Sequence, residues 1–222
     1  MTASVREAPV REPKAETTRM FESAFLERFS RIHPATPFVA WVPLMVFMVA
    51  RSGWIRADLS VGAIAGLFAC GVFFWTLAEY FLHRYVFHWT NDTAWGKRIH
   101  FLLHGVHHDF PNDKDRLVMP LLTSTPLAII FYSLFIGVMG VRLGEPFFAG
   151  FILGYLGYDG THYAVHHFKQ RTRLGKWVRR HHMLHHHADH EGGFGVSTPL
   201  WDIVFRTMPK TKRARAEAAA QA

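Results

Sequence analysis

The stretch from Leu59 to Leu82, LSVGAIAGLFACGVFFWTLAEYFL, runs for 24 residues with one ionisable group, Glu79, close to its end. A helix of about 20 apolar residues crosses the hydrocarbon core of a bilayer, and a charge near the end of such a helix is the cheapest place for one. The segment marks the chain as an integral membrane protein. Three further apolar runs surround it: Pro37 to Ala50 (PFVAWVPLMVFMVA), Leu117 to Val141 and Phe147 to Tyr158. The first is short for a full span and could cross with its flanks or only re-enter. The last two, parted by RLGEP, read as a helical hairpin. The expectation is an all-α integral membrane protein with about four transmembrane helices arranged as two hairpins.

Charge orients that layout. If the runs pair as two hairpins, the outer loops hold only Arg51, Arg56 and Arg142, leaving 22 of the 25 Lys and Arg on the other side. Basic residues concentrate in short loops that stay in the cytoplasm. The N-terminus, the central loop and the C-terminus are therefore expected to be cytoplasmic. Fifteen of the 16 histidines, all but His33, fall on that same side between residues 83 and 190. A histidine-rich helical cap on the cytoplasmic face follows.

Composition excludes other classes. The net charge of +8 could suggest nucleic acid, but apolar stretches separate the basic residues, so no nucleic-acid partner is expected. Cys70 is the single cysteine and lies in an apolar run, which rules out an intramolecular disulfide and a cysteine-based zinc site. The opening residues lack the apolar core of a secretory signal, and residues 1–34 are expected to form a polar tail and a surface helix. Residues 35–208 are expected to form the membrane-embedded domain, and 209–222 a disordered tail or a frayed helix. Within the domain, KQRTRLGKWVRR suits an anionic lipid surface or, equally, a solvated connecting helix.

The histidines come in four groups: HRYVFH, HFLLHGVHH, HYAVHH and HHMLHHH. Helix positions three and four apart share a face. His104, His107 and His108 can therefore point together, as can His162 with His166, and His182 with His185 and His186. Neutral imidazole ligates iron, zinc, copper and nickel, whereas many imidazoles packed without metal leave unpaired nitrogens or repelling charges. One first-row ion takes four to six ligands, so a set near ten suits two ions with about five each. Five ligands leave an open position, which oxygen activation at a redox metal requires. His33 stands alone and is assigned to structure, and His190 lies outside the triplets. HHMLHHH is internal, interrupted and followed by patterned sequence, so it is no purification tag. The HExxH zinc-protease motif is absent.

HRYVFH, HFLLHGVHHDFPNDKDRLVMP, GYDGTHYAVHH and HHMLHHHADHEGGFGVSTPLWDIVFRT, in this order, resemble the motifs of the fatty acid 2-hydroxylases across roughly residues 75 to 207. Within the wider superfamily of sterol desaturases and carotenoid hydroxylases, RLVMP is similar to the fatty acyl branch. The resemblance implies a metal-ligand set of His83, His88, His104, His107, His108, His162, His166, His182, His185 and His186. In the last block it selects His182 over His181 by distance to GFGV. It leaves His100, His167, His181 and His187 to support ligands or structure, with Asp109 and Asp159 as candidates to orient imidazoles or to cap helices.

The implied activity inserts one oxygen atom from O2 at carbon 2 of a fatty acid or of the acyl chain of a ceramide-like lipid. Two metal ions would do this, iron in the active enzyme, with zinc able to displace it because histidine sites bind zinc more tightly than Fe(II). The eukaryotic form of the family carries a fused cytochrome b5 domain that the N-terminal stretch here is too short to hold. Electrons are therefore expected from a separate carrier, cytochrome b5-like or ferredoxin-like. A desaturase or a sterol or carotenoid hydroxylase is the nearest alternative, and a non-enzymatic metal-handling membrane protein is the other.

Overall fold

A computed structural model describes residues 17–219, and these are helical with no strand among them. The polar tail expected over residues 1–34 lies partly outside the described residues, as do residues 220–222 of the expected C-terminal tail. From residue 17 onward the N-terminal segment is tied down. It carries the short helix α1 (Ala24–Phe29), and Ile32 donates its N–H to the Asp115 carbonyl at 2.9 Å. Glu27 accepts from the amides of Met20 and Phe21 and pairs with Arg116.

Among the described residues, three helices are long and apolar enough to cross a membrane: α2 (Thr36–Ile55), α3 (Val61–Phe87) and the segment Leu121–His167. The run at Pro37–Ala50, short on its own, gains its length from a wider π turn over Arg51–Ile55, which brings α2 to 20 residues, about 30 Å. Most side chains on these helices face outward, among them Val61, Leu122, Ile129 and Val138. Outward apolar faces of that extent belong against lipid rather than water.

Between α3 and Leu121 lie α4 (Ala94–His100), a π turn over Phe101–Gly105 and α5 (Val106–Asp109). Leu121–His167 is α6, and it is not straight. Gly140 has φ 69° and ψ 165°, which breaks the helix, and Gly supplies that conformation without a Cβ penalty. Beyond the break the chain doubles back: Tyr132 and Phe148 lie 5.3 Å apart by ring centroids, and Phe131 and Phe151 lie 4.8 Å apart. The two apolar runs on either side of RLGEP thus form two antiparallel arms of α6.

The second arm packs on α3 almost backbone to backbone. A Cβ built on Gly71 would sit 1.9 Å from the Phe147 carbonyl oxygen, and one on Gly150 would sit 1.9 Å from that of Phe68. Small residues let apolar helices approach this closely in a membrane, where van der Waals packing replaces the hydrophobic drive. Trp41, Trp75, Phe135, Phe148, Phe151 and Tyr155 fill the core between α2, α3 and α6.

At the end away from the histidines, Glu145 is buried and accepts from Arg51 at 2.7 Å, with Arg56 at 3.3 Å. Arg142 reaches the Asp58 carbonyl at 2.7 Å. The three arginines of the short loops therefore meet at one end of the molecule.

The remaining elements are α7 (Arg173–His187), α8 (Leu200–Val204) and α9 (Lys212–Ala219). The last lies within the tail expected over 209–222, where the Ala-, Arg- and Lys-rich sequence favours helix intrinsically. Helix α8 lies against α3, with Trp201 Nε1 donating to Thr76 Oγ1 at 2.9 Å and Phe205 stacked on Tyr80 at 5.1 Å.

Candidate metal centre

Four segments deliver histidines to one place, and their local geometry explains how. His83 and His88 are five residues apart, a spacing that a regular helix does not put on one face. The end of α3 widens into a π turn over Leu82–Phe87, and the His88 amide bonds the His83 carbonyl at 3.1 Å. The two rings then lie 4.9 Å apart. π turns of this kind recur at functional sites. A second one, over Phe101–Gly105, leads into α5 and the HGVHH motif. His162 and His166 come from the second arm of α6, and His182, His185 and His186 from one face of α7. Thr172 caps α7 by accepting from the Gly175 amide at 3.0 Å.

The ring nitrogens gather into two groups. His83, His88, His104, His108 and His185 form one, and His107, His162, His166, His182 and His186 form the other, with the facing atoms of each group within 4.8 Å of one another. In the first group Nε2 of His83 lies 2.9 Å from that of His104, and Nε2 of His88 lies 3.1 Å from that of His185. In the second, Nε2 of His107 lies 2.8 Å from that of His162 and 2.9 Å from that of His186. The groups adjoin, since His108 of one stacks on His186 of the other at 4.2 Å.

These rings are neutral. Burial, reinforced by neighbouring histidines, pushes His104, His107 and His182 far below the ordinary imidazole pKa and acts in the same direction on His108 and His186. Burial also brings His88 down to about 3 and His185 to about 4. A neutral imidazole is the form that ligates metal.

The chain's own atoms fit such ions. Five converging nitrogens cannot satisfy one another, because each shared proton serves only two of them. Nε2 of His108 is buried with no hydrogen-bond partner. Ten converging imidazole nitrogens in two sets of five suit two divalent first-row ions.

Carbonyls fix the tautomer of two rings. His83 donates from Nδ1 to the Phe194 carbonyl at 2.6 Å, and His185 from Nδ1 to that of Gly192 at 2.8 Å. A carbonyl only accepts, so each Nδ1 carries the proton and each Nε2 offers its lone pair to the centre.

The other candidates lie around this core. His181 turns away from both groups and faces Asp202 at 3.1 Å. His100 donates to the Phe87 carbonyl at 3.1 Å. His167 is half-buried against Tyr163 at 4.6 Å, while His187 and His190 are exposed. Asp109 is exposed on the rim of an open cleft of about 830 Å³, which His88, His108, His186 and Lys114 also line. Asp159 is buried beside the Met119 amide, from which it accepts at 3.4 Å, rather than beside an imidazole. It stands one turn from His162, and its Oδ1 meets the 116–120 loop.

Two acids matter here that spacing did not single out. Glu79 accepts from the amides of Val196 and Ser197 at 2.6 and 2.8 Å, and from the Ser197 hydroxyl at 2.5 Å. Asp202 accepts from the amides of Phe194 and Gly195 at 2.9 and 2.8 Å. Burial acts to raise the Asp202 pKa, but hydrogen bonds from His181, Gly195, Thr207 and Phe194 hold it below its ordinary value. The available signal was an acid inside an apolar span and another three residues past a proline.

Fold and site together define a helical membrane protein whose buried histidines form two clusters able to hold metal ions. The chain belongs to the fatty acid hydroxylase family, whose model matches residues 68–207. It is 37% identical to the dihydroceramide fatty acyl 2-hydroxylase FAH1 of Arabidopsis thaliana, over 91% of this chain and 84% of that protein. It is 32% identical to the human fatty acid 2-hydroxylase, over 91% of this chain and 60% of that one. The ceramide very long chain fatty acid hydroxylase SCS7 of Saccharomyces cerevisiae is 38% identical, over 76% of this chain and 44% of that protein. A solved structure of full-length scs7p, with only the hydroxylase domain visible, superposes with a TM-score of 0.78 at 36% identity, covering 83% of this chain and 69% of that one.

Proposed function

We propose that this protein is a membrane-bound fatty acyl 2-hydroxylase, acting on a fatty acid or on the acyl chain of a ceramide-like lipid. The observation that carries the proposal is the pair of five-histidine groups in a chain of this family. The ten histidines are the metal ligands in this reading. When bound, two metal ions, iron in the active state, supply the redox chemistry by which one atom of O2 enters a C–H bond and the other leaves as water.

The residues around the centre position what reacts. The Phe194 and Gly192 carbonyls hold the His83 and His185 rings in register. The apolar helices align the acyl tail. A narrow apolar cavity of about 30 Å³ lies between α2, α3 and α6, lined by Trp41, Trp75, Leu82, Met119, Phe131 and Tyr155. With the head group kept at the interface, the carbon beside the carboxyl or amide lies nearest the metals, so depth selects carbon 2. The distribution of basic residues supports four spans, counting each arm of α6, with the histidines facing the cytoplasm. The same basic face suits an acidic electron carrier, cytochrome b5-like or ferredoxin-like, through electrostatic steering.

Lipid mass spectrometry of cells with and without the protein, supplied with iron and an electron carrier under 18O2, tests this. Acyl lipids should gain one labelled oxygen at carbon 2. A desaturated product, or oxygen at another carbon, moves the assignment within the superfamily, and no oxygenated or desaturated product at all defeats the oxygenase reading.

A further inference from the structure

The rest of the chain treats the two histidine groups differently. In the first, His83 and His185 have their Nδ1–H groups fixed by carbonyls at 2.6 and 2.8 Å, and both carbonyls belong to the loop 192–197. That loop is itself braced. The four successive amides of Phe194, Gly195, Val196 and Ser197 all donate to two buried carboxylates, the first pair to Asp202 and the second to Glu79. The Gly193 amide adds a bond to the Thr207 carbonyl at 2.7 Å, at a φ of 81° that glycine tolerates. Asp202 in turn accepts from the Thr207 hydroxyl at 2.8 Å and faces His181 at 3.1 Å.

Three of the five rings in the second group have no such support among the described residues. Nδ1 of His162, His182 and His186 is buried, and no acceptor meets any of them. An outer acceptor holds a ligating imidazole in orientation and raises its basicity, and losing one costs about 10–100-fold in metal affinity.

We propose that the two metal positions are unequal. The first group, braced through the loop 192–197, holds its ion tightly, and the second holds its ion more weakly and releases it first. Asp202 is the positioning residue of the tight site. It touches no metal, and it acts by holding the Phe194 peptide against His83 and the loop against His185. This rests on the ten-histidine metal reading above.

The test counts metal rather than turnover. Full-length protein in detergent or nanodiscs is loaded with Co2+ and challenged with rising EDTA, and the ions retained per chain are measured. The wild type should lose its ions in two steps, about tenfold or more apart. His182→Ala should abolish the early step and His83→Ala the late one. Asp202→Asn keeps the side-chain shape but turns an NH2 toward one pair of donors, so the late step alone should move by about 10–100-fold toward lower EDTA. If Asp202→Asn does not fold, Thr207→Val, which removes one donor to Asp202, should move the same step by less. Two equal ions lost in one step, or an Asp202→Asn shift in both steps or neither, overturns the proposal. A wild type that takes up no metal overturns the metal-centre reading itself.

Discussion

The His88 amide donates to the His83 carbonyl at 3.1 Å, closing a turn of five residues rather than four. In a regular helix positions five apart point about 140° away from each other, so HRYVFH would send its two histidines to different faces. The wider turn returns both to one group. One alanine inserted between Tyr85 and Val86 would set them six apart, a separation that neither an i→i+4 nor an i→i+5 turn closes. The insertion should cost the first group its ion while the second group keeps its own, as metal per chain would show. His33→Ala, at an exposed ring that only accepts from the Ala35 amide, should change neither. Retention of both ions by the insertion variant would mean that the wide turn is not what gathers the pair.

Acid should destabilise the metal-free protein. His88 and His185 are held at about 3 and about 4, first by burial, and burial also pushes His104, His107 and His182 well below the ordinary imidazole value. Unfolding returns each to about 6.5 and takes up protons, so stability rises with pH across the interval between the folded and unfolded values. It is fully present above about pH 6.5 and is lost progressively as pH falls toward 4. Asp202, held below its ordinary value, adds a loss of the same sign below about pH 4. The melting temperature of the metal-free protein in nanodiscs should therefore drop steadily from pH 7 to pH 5. A flat or rising profile would show that the histidines charge without cost in the folded state.

Gly150 has no room for a methyl group. Its Cβ would meet the Phe68 backbone carbonyl at 1.9 Å, and neither helix can give way without parting α3 from α6. Gly150→Ala should lower stability by about 1–3 kcal/mol, the usual cost of overpacking, or more where backbone must move. Because α3 carries His83 and α6 carries His162, metal content should fall alongside the melting temperature. Gly137→Ala, where a Cβ meets nothing within 4 Å, is the matched control and should be neutral.

What the sequence disclosed, and what it withheld, divides along physical lines. Length and hydropathy revealed the helical membrane character because the bilayer imposes them directly. Three- and four-residue spacing brought His182, His185 and His186 to one face because α7 is ordinary helix, whereas His104 sits in the π turn over Phe101–Gly105 and His107 and His108 in α5 beyond it. The same logic was silent on His83 with His88, since the π turn carries no signature in HRYVFH. Asp159 shows a related limit. Spacing puts it one turn from His162, but its side chain satisfies the Met119 amide 40 residues earlier in the chain. Asp202 and Glu79 were invisible because their partners are backbone amides more than a hundred residues away for Glu79, and in a loop that has no periodicity of its own for Asp202.

Glu145 tests whether the two ends of the molecule are independent. Its carboxylate is buried, while its partners Arg51 and Arg56 keep 39% and 19% of their side-chain surface. Glu145→Ala leaves two guanidinium groups without an acceptor, but both can turn toward water. The loss should therefore be about 1–3 kcal/mol, as for hydrogen bonds to charged groups, rather than the 3–5 kcal/mol or so of a sealed ion pair. For a chain of this size that lowers the melting temperature by roughly 2–4 °C per kcal/mol. Glu145→Gln, which keeps one acceptor, should fall between. Glu145 and His162 stand 17 residues apart on the second arm of α6, about 26 Å, so metal content per folded chain should not change in either variant. Loss of metal without loss of stability would show instead that the short loops and the histidine groups are coupled through α3 and α6.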